Sequence, residues 1–257
     1  MTLDQRDVER LRVARHAVLD RIAAACARAG RDPGEVTLVA VSKTFPAERL
    51  QAAVAAGLTT LGENRVQEAE SKVGDVPGAT WHLVGPLQKN KARRALEIFE
   101  TIESVDSVAL AERLDRIAAE VRPGGRVPVL LQVNVDDDPS KTGFRPAELE
   151  ASLGALIELP RLEVRGLMTI GRQGDRPQDA RATFAALREL AARLRATDQR
   201  LGPALSMGMT DDFEVAIEEG ATIVRVGRAL FGERPHVHDH DHDHDHGHGA
   251  GEPAHAH

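Results

Sequence analysis

The sequence predicts a single (β/α)8 barrel of the TIM type, an α/β fold, preceded by one extra helix and followed by a tail with no fold of its own. Three observations predict it. At 257 residues the chain has the length of one large domain. Short β-branched runs alternate with segments of helical period, and those runs number eight. Strands separated by helices pair in parallel, because each crossover helix returns the chain to the same edge, and eight such units close a barrel. Spacing alone leaves an open, doubly wound sheet as the alternative.

The first element, 2–29, places apolar residues at helical spacing. It opens on Thr2-x-x-Gln5, the pattern of a capping box, and closes before Gly30 and Pro33. Cys26 shares the apolar stripe of Leu11, Val18 and Ile22, which reads as a buried, inert thiol. A lone cysteine also excludes an intramolecular disulfide and a cysteine-based structural zinc site. The eight strands then fall at 36–41, 58–62, 81–85, 101–105, 127–135, 162–168, 204–208 and 222–227. The barrel domain is therefore 1–234, and 235–257 is a His- and Asp-rich tail whose composition cannot bury a core and is expected to be disordered. Its alternating imidazoles and carboxylates can take up a divalent metal adventitiously, with no spacing that defines a dedicated site.

Composition excludes several classes of function. Hydrophobic residues make up 42% of the chain, ample for one core. The formal charge is −7 with histidines neutral, and no run of consecutive Lys or Arg offers a phosphate-backbone groove, so nucleic acid is not an expected partner. Tyrosine is absent and aromatics total 3%, which removes the stacking platforms of single-strand binders. No apolar leader and no run of 18 apolar residues occurs, so neither membrane insertion nor export is expected, and a cytoplasmic location follows.

In a barrel the working residues lie at the C-terminal ends of the strands and in the loops after them. Lys43 follows strand one. Glu63 and Asn64 follow strand two, His82 with Gly85 and Gln88 mark strand three, Asn134 ends strand five and Met168 ends strand six. Alternation along strand one puts Val39, Val41 and Lys43 on one face, so an inward Val39 brings Lys43 to the barrel mouth. Apolar surroundings disfavour a charged ammonium there and favour the neutral amine that attacks an aldehyde; taken alone, the residue also reads as an ordinary surface lysine.

On strand eight Ile223, Arg225 and Gly227 share a face, which brings a guanidinium toward the interior. A buried cation needs either a carboxylate, for which Asp211 and Asp212 are at hand, or an acceptor on a ligand. Gly227, lacking Cβ, lets the backbone N–H groups around it approach an anion. The run Ser206-Met-Gly-Met-Thr-Asp-Asp212 joins strand seven to a helix. Barrels commonly bind phosphate between strands seven and eight with such hydroxyls and N–H groups, which implies a phosphate-bearing ligand. Asp211 and Asp212 also suit the helix N-terminus as caps.

Five blocks, Val39-Ala-Val-Ser-Lys-Thr44, Gly62-Glu-Asn64, Trp81-His-Leu-Val-Gly-Pro-Leu-Gln88, Leu205-Ser-Met-Gly-Met-Thr-Asp-Asp212 and Val224-Arg-Val-Gly227, resemble in sequence and order the pyridoxal phosphate homeostasis protein family. The resemblance implies a barrel like the N-terminal domain of alanine racemase and pyridoxal 5'-phosphate (PLP) as cofactor, carried on Lys43 as a Schiff base. It further implies that Arg225 faces the pyridine nitrogen, that Ser206, Thr210 and the backbone of Gly227 and Arg228 hold the phosphate, and that Asn64, His82 and Met168 line the cofactor face.

Members of that family keep vitamin B6 in balance without substantial turnover, so apo-enzymes that use PLP are implied as partners. A permanently charged Arg225 at the ring nitrogen would weaken the ring as an electron sink. Two-base racemisation needs a second group on the opposite ring face, which related racemases supply as a tyrosine from another domain, and this chain has none. The alternatives are a single-domain PLP-dependent racemase or lyase using His82 as acid or base, and a phosphosugar aldolase with a lysine Schiff base.

Overall fold

A computed structural model of the chain describes residues 3–172, 174 and 176–232. Among them eight parallel strands close a barrel in sequence order. They are β1 (Thr37–Val41), β2 (Thr60–Glu63), β3 (Thr80–Leu83), β4 (Thr101–Val105), β5 (Val127–Gln132), β6 (Leu162–Met168), β7 (Ala204–Ser206) and β8 (Ile223–Val226). β4 and β6 keep their predicted bounds, and the others are shorter. The expected start of β2 at Leu58 is wrong because its N–H bonds Ala53 O in the preceding helix end. β5 stops at Gln132 because Val133 bridges to Phe144 and Asn134 turns the chain into the next loop.

The first helix, α1 (Gln5–Ala29), begins later than the capping-box pattern implies. Asp4 is its N-cap and accepts Arg6 N–H at 2.9 Å, while Thr2 lies outside the described residues. It ends where expected, at Gly30 in the left-handed conformation, φ 65°. Val8, Leu11, Val18, Ile22, Ala25 and Cys26 form its buried stripe, and burial pushes the Cys26 thiol up from its ordinary value. The crossover helices follow as α2 (Ala47–Ala55), α3 (Val66–Glu70), α4 (Ala92–Ile98), α5 (Val108–Val121), α6 (Pro146–Ile157), α7 (Arg181–Thr197), α8 (Phe213–Glu218) and α9 (Arg228–Phe231). α1 packs on α2, α8 and α9. Arg21 fastens it by a two-point pair with Glu214 at 3.1 and 3.0 Å, its guanidinium over the Phe213 ring.

Register decides which side chains share the barrel interior. Leu61 pairs with Trp81 and Gly62 with His82, while Val39 pairs with Arg225. Leu61 and Trp81 join the main apolar cluster; Val39, Val84, Leu130 and Met168 are buried yet stand apart from it, with the polar residues of the interior. The barrel thus has an apolar outer shell and a mixed interior, and the mixed interior positions the site. No described helix is long and apolar enough to cross a membrane. The His- and Asp-rich tail lies outside the described residues; within them no group of three metal-ligating side chains occurs.

Candidate functional site

A chain of hydrogen bonds crosses the barrel interior from β8 to β3. Arg225 Nη1 donates to Ser206 Oγ at 2.5 Å, and Nη2 donates to the carbonyl of Thr169 at 2.7 Å. Ser206 Oγ donates to Glu103 Oε2 at 2.5 Å, and the other oxygen, Oε1, lies 2.6 Å from His82 Nδ1. All four side chains are buried. Burial alone would push Glu103 up; the hydrogen bond and charge of His82, the charge of Arg225 and the Ser206 hydroxyl outweigh it and hold the carboxyl below its ordinary range. Burial lowers the Arg225 guanidinium from its ordinary value, against the charges of Glu103 and Asp212. It remains a cation because an arginine does not lose its proton in a protein.

Arg225 therefore takes neither of the anticipated carboxylates by direct contact. Asp211 pairs with Arg228, and Asp212 accepts Met209 N–H at 2.6 Å. Asp212 does occupy the N-cap position of α8, but its carboxylate makes no bond to that helix's own first N–H groups. Ser206 is also more committed than the sequence implies. Its single proton goes to Glu103, so the hydroxyl serves the interior chain instead of standing ready as a donor at the strand end.

At the end of β1 the chain makes a four-residue turn, Phe45 N–H bonding Ser42 O at 3.2 Å, with Lys43 and Thr44 at the two central positions. Lys43 is half-buried. Ser42 points to the opposite side of the strand, where its hydroxyl donates to Glu63 Oε1 at 2.7 Å. Lys72, just beyond α3, reaches the same oxygen at 3.0 Å, Glu68 Oε1 at 2.8 Å and the Ser42 carbonyl at 3.3 Å. Burial pushes the Glu63 carboxyl up, and Lys72 and Ser42 offset this only in part. Burial also acts to raise Glu68, but Lys72, the Thr44 N–H and Arg65 hold it below its ordinary value.

The remaining candidates lie at or just after the C-terminal ends of their strands. Thr210 is half-buried in the turn between β7 and α8, beside Gly208 at φ 90°, a conformation open to glycine. Gly227 follows β8 and caps α9, and a Cβ there would lie 3.2 Å from Val41 O, so a side chain would crowd the gap between β8 and β1. Arg228 opens α9. Asn64 is half-buried with its backbone packed against Gly85. Met168 is fully buried and in register with Gln132 and Ser206. Asn134 is structural: its amide pins Asp138 O and Lys141 O, and its oxygen accepts Asp138 N–H.

Sequence reasoning missed Glu103, Glu68 and Lys72. Glu103 carried a readable signal, an acid on the face of Thr101 and Val105 in a short buried strand.

With the geometry in place, comparison with known proteins is informative. The alanine racemase N-terminal domain family matches residues 14–235. The pyridoxal phosphate homeostasis protein of Pseudomonas aeruginosa is 47% identical over 225 residues, covering 85% of this chain and 94% of that protein. The protein of the same name from Escherichia coli K12 is 41% identical over 232 residues, with the same coverage of 85% and 94%. The solved structure of PipY from Synechococcus elongatus with PLP bound is 46% identical and superposes with a TM-score of 0.73, over 84% of this chain and 100% of that one.

Proposed function

This chain belongs to the pyridoxal phosphate homeostasis proteins, within the alanine racemase N-terminal domain family, and from that premise we propose that it holds PLP covalently through Lys43 and serves vitamin B6 balance without substantial turnover. One observation carries the reading: Lys43 stands on the turn at the C-terminal end of β1, and β1 pairs directly with β8, the strand that carries the buried Arg225.

The donor set fits the cofactor's three chemical groups. An amine suits the aldehyde. The guanidinium has five N–H groups, of which Ser206 and Thr169 engage two, so donors remain for a ring nitrogen. Thr210, the backbone around Gly227 and Arg228 suit a phosphate dianion, and Gly227 keeps that gap from being crowded by a side chain. PLP, when bound, supplies an aldehyde that takes up an amine reversibly and a ring able to draw electrons from an attached amino acid.

The chain's own residues work against the second of those abilities. Glu103 acts through Ser206 to keep Arg225 charged and oriented, and a fixed cation facing the ring nitrogen opposes its protonation. His82 is the observation that favours the rival reading, a racemase or lyase, because a histidine bonded to a carboxylate is a common acid–base pair.

The test has three parts. Borohydride reduction followed by mass spectrometry should place one pyridoxyl group on Lys43, and Lys43→Ala should lose it while staying folded. Holo-protein should show no amino-acid turnover above free PLP, yet should load an apo-enzyme that uses PLP. A label on Lys89, Lys91 or Lys141 in place of Lys43 would overturn the assignment. Turnover of an amino acid that disappears in Lys43→Ala would replace the carrier with the enzyme.

A further inference from the structure

The turn that carries Lys43 is gripped from outside the barrel wall. Thr44, its third residue, takes φ 72°. That is the third-position geometry of a type II turn, which glycine and asparagine enter readily and a β-branched residue rarely does. With threonine there, the intrinsic preference is the type I turn, reached by flipping the Lys43–Thr44 peptide. A strained conformation persists only where its surroundings over-determine it.

Here they do. Glu68 accepts the Thr44 N–H, the group that a peptide flip would turn away. Lys72 donates to the Ser42 carbonyl at 3.3 Å and ties Glu68 to Glu63, at 2.8 and 3.0 Å. The Ser42 hydroxyl completes the cluster on Glu63. The peptide group before Lys43 and the one after it are thus both held by one cluster at the end of α3. The Lys72 side chain is 8% exposed, Glu63 0% and Glu68 23%, so water competes little for the bonds of Lys72, while the Thr44 N–H bond lies at the exposed edge of the cluster.

We infer that Glu68 and Lys72 are positioning residues for Lys43: they lock the 42–45 turn in its strained form and so set the direction in which the lysine side chain leaves β1. The inference rests on the reading of Lys43 as the PLP-linking residue. Neither residue touches the cofactor in this scheme, and each acts through the backbone.

A double-mutant cycle on the full-length protein tests it. Glu68→Ala removes the acceptor, Glu68→Gln keeps an oxygen for Thr44 N–H, and Thr44→Gly lets the turn adopt the left-handed conformation unaided. Two quantities are read: the rate at which a borohydride-fixed pyridoxyl group accumulates on the Lys43 peptide after mixing with PLP, and hydrogen exchange at residue 44. Glu68→Ala should slow labelling on the order of tenfold and speed exchange roughly tenfold, and Glu68→Gln should restore most of both. In the Thr44→Gly background the loss of labelling on Glu68→Ala should shrink to about twofold or less, because glycine needs no clamp.

Labelling of Glu68→Ala at the wild-type rate, or an equal loss in both backgrounds, would overturn the inference. A wild type that takes no pyridoxyl on Lys43 would overturn the PLP reading instead. The exchange arm would still decide the clamp in that case, since it needs no cofactor; unchanged exchange at residue 44 in Glu68→Ala would end it.

Discussion

Two glutamates stand at the barrel wall, both fully buried, and they are held in opposite ways. Glu103 points inward from β4, and each of its oxygens has a partner, His82 on one and Ser206 on the other. Glu63 points outward from β2, and both of its partners, Ser42 and Lys72, crowd onto one oxygen. Its Oε2 is buried with no hydrogen-bond partner among the described residues. Glu103 is driven below its ordinary value and Glu63 above it. Burial penalises both charges and each carboxylate has two donors, so the difference lies in where they act and in the charges nearby: His82 and Arg225 together outweigh burial at Glu103, whereas at Glu63 Lys72 is opposed by the charge of Glu68 and one oxygen is left bare. The inner carboxylate is built to stay ionised beside a buried guanidinium; the outer one is a mechanical anchor that tolerates an unfilled acceptor.

The largest effect should come from breaking the outer pair. Lys72→Met leaves Glu63 buried without its counterion and frees the Ser42 carbonyl, and stranding one member of a buried pair costs about 3–5 kcal/mol. Urea denaturation of the apo-protein measures it. A cost below about 1 kcal/mol would mean that the fold absorbs the loss by protonating Glu63, and the anchor would then be far weaker than its geometry implies.

A smaller effect belongs to the inner glutamate. Glu103→Gln exchanges charged for neutral hydrogen bonds to His82 and Ser206 and leaves Arg225 buried with less compensation, at about 1.5–3 kcal/mol. The pH dependence has a definite sign. Because the folded pKa of Glu103 is depressed, its contribution is present above the unfolded carboxyl value of about 4.3 and is lost as pH falls through the folded value. Stability of Glu103→Gln should therefore fall less steeply than wild type as pH drops from about 4.3 to the folded value, measured by urea midpoints at stepped pH. Parallel acid limbs would show that Glu103 is not held ionised.

How much of this was readable follows the range of the interactions. Strand alternation is local, so the inward face of Val39 and Arg225, on which the proposal for Lys43 rests, could be read from spacing of two residues along single strands. Glu68 and Lys72 stand four residues apart, a spacing at which side chains commonly pair, yet sequence reasoning passed over both. Their role depends on Thr44 in a left-handed turn, which local propensity argues against, and on β1 and β2 meeting in parallel register. The carboxylates offered as one alternative for Arg225 fell short for the same reason. Asp211 and Asp212 are near in sequence, whereas Glu103 lies more than a hundred residues away and reaches the guanidinium only through Ser206 across a closed barrel.

The mildest change sharpens the comparison most, because it repeats the inner substitution on the outer glutamate. Glu63→Gln keeps the volume and an oxygen for Ser42 and Lys72, while Lys72 retains Glu68 as its charged partner. The carboxylate it removes was already disfavoured by burial, so the cost at neutral pH should stay within about 1 kcal/mol, below that of Glu103→Gln. Its pH sign is the reverse of the inner residue's. A carboxyl whose folded pKa is raised contributes most below its unfolded value and loses that contribution as pH rises through the folded value. Relative to wild type, Glu63→Gln should therefore gain stability as pH climbs through the raised value, in the range where Glu103→Gln gains nothing. Urea midpoints of the two variants at stepped pH compare them directly. If Glu63→Gln proved as costly as Glu103→Gln, or lost ground as pH rose, the outer carboxylate would have to be as well solvated by donors as the inner one, and the contrast between the two sides of the wall would collapse.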